Sequence, residues 1–173
     1  MFIERLRAGE PVVGAWVTVG HPVVAEVLAP EFDFLAIDAE HTELSMETVA
    51  AMVRAIDATD ADCAALVRVS DNDPVEIKRV LDLGVAGVVV PSVDTREEAE
   101  AAVEACRYPP AGVRGVAGYR AADYGASMEY VERANDEVAT IVQAESGTAA
   151  EHTADIAAGD GGGALFVGPA DLS

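Results

Sequence analysis

The chain has 173 residues, 51% of them hydrophobic, and a formal net charge of −20. That length and apolar content suffice for one domain with a real core, and they exclude a disordered chain. The acidic balance disfavours nucleic acid and anionic membranes as partners, and no run of about 18 apolar residues is present to span a bilayer.

In chain order the sequence alternates helix and strand. Residues 2–8 read as a short helix without the apolar region of a secretory leader, so a cytoplasmic location is expected. A strand is expected over 12–19, a helix over 22–28, a strand over 34–38 and a helix over 45–57. The strand at 64–69 leads to a helix at 74–83, with Asp73 as N-cap, Pro74 in first position and Gly84 as the stop. A strand at 87–93 and a helix at 96–107 follow. Residues 108–135 carry Pro109, Pro110, Gly112, Gly115, Gly118 and Gly125, and read as a long irregular excursion suited to subunit contact and substrate choice. A strand at 139–145, a helix at 148–158 and a strand at 164–167 complete the pattern. All six strands are short, apolar and rich in β-branched residues, as buried parallel strands are.

The acids lie along expected helix faces, as in Arg96-Glu97-Glu98-Ala99-Glu100, rather than in a tail. Such a surface fits a salt-loving source, where self-repulsion is screened. An ordinary acidic cytosolic protein is the plainer alternative. Cys63 and Cys106 have no CxxC spacing and are too few for a structural zinc site, so both are expected to pack as small apolar residues.

Strand–helix alternation allows an open doubly wound sheet or a closed (β/α)8 barrel. The first strand does not lead into a glycine-rich phosphate loop, which counts against the former. Polar residues cluster at the ends of four strands, which is how barrel active sites are built. The expected fold class is therefore α/β, a TIM-type barrel, with residues 1–173 forming a single barrel domain of about six β/α units. A full barrel takes about 250 residues, so the C-terminal units are expected to be missing from this stretch.

The second strand ends in Asp38-Ala39-Glu40-His41, and Asp38 and Glu40 share a face. A histidine flanked by carboxylates suits a general base, although a solvated loop histidine would look the same. Arg68 in an apolar strand needs an anion, either a substrate carboxylate or oxyanion, or a structural partner in Asp38 or Glu40. Gln143 and Glu145 share a face of the fifth strand and suit a hard divalent cation. Gly168-Pro169 ends the sixth, leaving Asp171 at a tip where the amides of Ala170 and Asp171 could hold an anion, unless Asp171 merely caps the next helix.

Four runs resemble the HpcH/HpaI aldolase family. They are Phe32-Asp33-Phe34-Leu35-Ala36-Ile37-Asp38-Ala39-Glu40-His41, Leu81 through Pro91, Arg107 through Gly115, and Gly168-Pro169-Ala170-Asp171-Leu172-Ser173. The resemblance implies a metal-dependent, class II aldolase that cleaves 4-hydroxy-2-oxo acids to pyruvate and an aldehyde. It implies Glu145 and Asp171 as ligands of Mg, Mn or Co, Arg68 as the group polarising the pyruvyl carbonyl, and Gln143 beside it. His41 falls on the base, with Asp38 as the residue orienting it, and the Ala170 and Asp171 amides fall on the substrate-carboxylate site. Ala144 and Ser146 depart from the family pattern. A homo-oligomer, a hexamer by the resemblance, is expected to act on a small 2-oxo acid.

Three rivals remain. A Schiff-base aldolase would have to use Lys78, the sole lysine, which falls inside a helix. A CoA-ester lyase of the citrate lyase β type would share the acidic metal logic. A non-catalytic metal- or anion-binding or oligomer-forming protein is the third.

Overall fold

The computed structural model describes residues 1–159 and 163–168. Six parallel strands form one sheet in the order β1-β2-β3-β4-β5-β6, namely Gly14–Val17, Phe34–Asp38, Ala64–Arg68, Gly87–Val90, Ala139–Ala144 and Ala164–Val167. The helices are α1 (Phe2–Arg7), α2 (Pro22–Leu28), α3 (Met46–Asp57), α4 (Pro74–Leu81), α5 (Arg96–Cys106), α6 (Tyr130–Glu137) and α7 (Gly147–Ala157). Sequential strands paired in parallel and separated by helices curl into an open part of a TIM-type barrel, as expected. Among the described residues no helix is long and apolar enough to cross a membrane.

The period-2 alternation of each strand divides the core into two. Outward side chains such as Leu35, Ile37, Val67, Val88 and Val90 pack with Val53, Ile77, Val80 and Ala102 of the helices. Inward ones, Ala36, Leu66, Val89, Ala139 and Ile141, form a second cluster closed at the strands' N-terminal end by Ile3 of α1. Trp16 of β1 stacks on Phe166 of β6 at 5.2 Å, so the two edge strands touch through their inward rings. Gly14 makes room for this curl, because a Cβ there would lie 2.3 Å from the Phe34 ring.

Helix starts obey local chemistry. Asp73 accepts from the Val75 amide at 3.0 Å, Ser45 from Thr48 at 3.2 Å and Ser146 from Ala149 at 2.9 Å. Thr95 and Glu98 form a full capping box at α5. Helix α4 stops at Leu81, short of the expected 83, and Gly84 follows at φ +81°, a conformation that glycine adopts without strain. Strand β4 stops at Val90 because Pro91 has no N–H to continue the ladder.

The excursion is more ordered than expected. It contains a 3-10 segment, Arg120–Gly125, and the helix α6. Arg120 reaches Asp57 at 2.6 Å at the end of α3, and the Ala121 amide donates to the Asp82 carbonyl at 3.0 Å below α4. Asn135 brackets Tyr108, accepting from its amide at 2.7 Å and donating to its carbonyl at 3.1 Å. These contacts pin 108–135 under the N-terminal ends of the strands, at the end opposite the mouth. Both cysteines are free, and burial pushes each thiol up to about 11, so both are inert packing groups.

Candidate active site

Strand ends assemble the site. Asp38 closes β2 and Arg68 closes β3, and the register sets the two side by side. Arg68 donates from Nε to Asp38 Oδ1 at 2.9 Å and from Nη2 to Oδ2 at 2.7 Å, a bidentate fork. Its Nη1 lies 2.7 Å from Glu40 Oε2, an ion pair not aligned as a hydrogen bond. The guanidinium stacks on the Trp16 ring, 4.8 Å from its centroid. The structural ion pair that was the plainer explanation of Arg68 is thus present. It does not exhaust the guanidinium, whose five N–H donors make two hydrogen bonds among the described residues and leave donors on both Nη1 and Nη2.

Asp38 is 1% exposed. Burial pushes its carboxyl up, but the Arg68 hydrogen bonds and the amides of Glu40 and His41 outweigh that and leave it below the ordinary range. Glu40 moves the other way, because burial is only partly offset by Arg68 and the Glu145 charge adds repulsion. The Asp38 contribution to stability is therefore complete above the ordinary carboxylate pKa and is lost as the pH falls through its lower folded value. Urea titrations between about pH 6 and about pH 3 should show an acid limb for the wild type that is shallower in Asp38→Asn.

His41 stands outside this pair. Its side chain is 71% exposed and its Nε2 lies 3.6 Å from Glu40 Oε1. The expected orientation of His41 by Asp38 is not what the geometry shows. Asp38 Oδ1 accepts from the backbone amides of Glu40 at 3.1 Å and His41 at 3.4 Å, so it shapes the loop, and Glu40 is the imidazole's neighbour.

Across the mouth, Gln143 near the end of β5 donates through Nε2 to Glu145 Oε2, which lies just past the strand. Glu145 Oε1 accepts from the Ser92 amide at 2.9 Å and hydroxyl at 3.1 Å. Among the described residues, Gln143 Oε1 is buried with no hydrogen-bond partner. An orphaned amide oxygen beside a carboxylate is a hard-donor set that a divalent cation fits. Ala170 and Asp171 lie outside the described residues. Among the described residues no three His, Cys, Asp or Glu side chains converge as a metal cluster, and Glu145 is the one described member of the expected pair.

Sequence reasoning left out Trp16 and Ser92, and kept Glu40 out of the site. Trp16 had a readable signal, the sole tryptophan on the inward phase of a strand. Ser92 had none. A second concavity of about 640 Å³ opens at the opposite end, lined by Arg5, Asp33, Arg120 and Arg133 among others. Its arginines are already paired, Arg5 with Asp33, Arg120 with Asp57 and Arg133 with Glu137.

Residues 13–173 match the HpcH/HpaI aldolase/citrate lyase family. The chain belongs to that family. A 4-hydroxy-2-oxovalerate aldolase of Novosphingobium aromaticivorans is 46% identical over 99% of this chain and 66% of its own length. A 4-hydroxy-2-oxo-heptane-1,7-dioate aldolase of Shigella flexneri is 41% identical over 99% of this chain and 65% of its own. An HpcH/HpaI aldolase/citrate lyase family protein from Burkholderia cenocepacia superposes with a TM-score of 0.95 at 41% identity, covering 98% of this chain and 69% of that one. The chain thus spans about two-thirds of the length of these HpcH/HpaI relatives.

Proposed function

We propose that this chain is part of a metal-dependent aldolase that cleaves 4-hydroxy-2-oxo acids to pyruvate and an aldehyde. The observation that carries the reading is the strand-end constellation itself. A buried guanidinium with spare donors faces a mouth that also holds Glu145, beside an orphaned Gln143 oxygen. The names of the two aldolase relatives support the substrate class.

Glu145 and Asp171 are the proposed metal pair, with Gln143 beside them. Bound there, Mg, Mn or Co would supply Lewis-acid stabilisation of the 2-oxo acid's developing negative charge. His41 takes the proton from the C4 hydroxyl, the C3–C4 bond breaks, and the aldehyde leaves. The bonding pair passes into a pyruvate enolate, whose oxygen receives hydrogen bonds from the remaining Nη1 and Nη2 N–H groups of Arg68. The amides of Ala170 and Asp171 hold the carboxylate, and protonation at C3 releases pyruvate. Asp38 is the residue that fixes Arg68 and shapes the His41 loop.

The same reading takes residues 1–173 as one barrel domain, acting on a small 2-oxo acid within a homo-oligomer, a hexamer by family resemblance. A cytoplasmic, salt-rich setting is consistent with the charge of −20.

Pyruvate release from several 4-hydroxy-2-oxo acids in molar KCl tests the proposal. Activity should vanish with EDTA and return with added Mg, Mn or Co; no metal-dependent pyruvate from any substrate would refute it. Glu145→Ala and Asp171→Ala should each lower turnover by about a hundred- to a thousandfold, since charge stabilisation at a developing oxyanion is a large term. Lys78 lies on α4, in the outer helical layer, with its Cδ 3.7 Å from where a Cβ on Gly115 would sit. Borohydride with pyruvate should therefore trap no adduct, and a covalent product on Lys78 would overturn the metal reading.

A further inference from the structure

Strand β4 ends at Val90 and is followed by Pro91-Ser92-Val93. The ladder to β5 runs as far as Val90 opposite Val142 and resumes once, where the Val93 amide donates to the Gln143 carbonyl at 3.1 Å. Between these points Pro91 supplies no donor, and Ser92 takes φ +53°. Left-handed backbone is costly for any residue with a Cβ, by roughly 1–2 kcal/mol. Strain of this kind is retained where the surroundings over-determine it, and it gathers at functional sites.

The conformation has a specific result. It turns both the amide and the hydroxyl of Ser92 onto one oxygen, Glu145 Oε1, at 2.9 and 3.1 Å. The other oxygen accepts from Gln143 Nε2. Three donors therefore converge on a single carboxylate. Ser92 is exposed, so water competes for its bonds and their net worth to folding is small. What they supply is orientation.

We infer that Ser92 is a positioning residue for the Glu145 carboxylate, holding it for a divalent cation through a strained backbone that aims two donors at one oxygen. The cation part of this inference rests on the proposed function; the strained clamp stands on its own geometry. Residues that orient a metal ligand typically change metal affinity by about 10–100-fold when lost. Ser92→Ala keeps the amide and the strain but loses the hydroxyl. Ser92→Gly also releases the strain.

Calorimetric titration with Mn²⁺ alone should show about 10-fold weaker binding for Ser92→Ala and weaker still for Ser92→Gly. Thermal stability should be unchanged in the first and unchanged or higher in the second, a split that a purely structural role would not produce. Equal Mn²⁺ affinity in wild type and both variants would overturn the inference. Amide hydrogen exchange at Ser92 in metal-free protein provides the separate arm. The Ser92 amide should be protected in the wild type and exchange faster in Glu145→Ala; identical exchange would overturn the clamp. Should the wild type bind no Mn²⁺, the metal reading falls, and the exchange arm still decides Ser92.

Discussion

Arg68→Ala is expected to abolish pyruvate release and to destabilise the fold by about 3–5 kcal/mol, the usual cost of breaking a buried ion pair by removing one partner. Asp38 would be left almost wholly buried without its bidentate partner, and Glu40 would lose the cation at 2.7 Å. Trp16 would lose the cation over its face as well. With Arg68 gone, burial dominates at Asp38, so its carboxyl moves up and protonation relieves the cost. The destabilisation should therefore be smaller near pH 4 than near pH 7, the sign opposite to that of the intact pair. Adding Asp38→Asn should recover much of the stability and none of the turnover. Arg68→Lys should fold better than the alanine variant yet remain slow, because an ammonium cannot reproduce the planar fork. Urea denaturation at two pH values and a pyruvate assay read all of this. An alanine variant as stable as the wild type at neutral pH would show that the pair contributes little to the fold.

Much of this arrangement was legible in the sequence because it depends on period 2. Once 34–38 and 64–68 are strands, Ala36 and Asp38 share one phase, as do Leu66 and Arg68, and the parallel register brings Asp38 opposite Arg68. The N-cap at Asp73 is equally local. What escaped depends on distance in the chain. Helix α6 has few apolar residues, Tyr130, Val131 and Ala134, and its N-cap position, Glu129, makes no side-chain cap bond. Tertiary contact with Tyr108 stabilises it rather than propensity. The position of 108–135 follows from ties to Asp57, Leu83 and Asp82, which no local pattern encodes. Glu145 was readable as an acid at a strand end; that Ser92 secures it is a contact across 53 positions.

The second large effect is expected at Arg114, where stability and chemistry should separate. Its side chain is 0% exposed. It pairs with Asp82 at 3.0 Å and sits 4.4 Å from the Tyr108 ring centroid and 5.8 Å from that of Tyr130. Nε and Nη1 are buried without a hydrogen bond among the described residues, so the aromatic faces carry much of the charge's compensation. Arg114→Ala removes an ion pair and two cation–π contacts and leaves a void beside the two rings. The expected cost is about 3 kcal/mol, below the top of the range because Asp82 keeps access to water. The loss should free 108–135 first, seen as faster amide exchange at Ala121, whose amide holds the Asp82 carbonyl. Because the segment lies under the strand N-termini, turnover of the folded variant at low temperature should stay within a few-fold of wild type. A large fall in kcat/KM with the fold intact would mean that 108–135 reaches a site after all. Since it does not reach the mouth of its own chain, that site would belong to a neighbouring subunit. Mixing Arg114→Ala with Glu145→Ala protein would then distinguish the two cases, because only a shared site could regain activity by pairing an intact Glu145 in one chain with an intact Arg114 in the next.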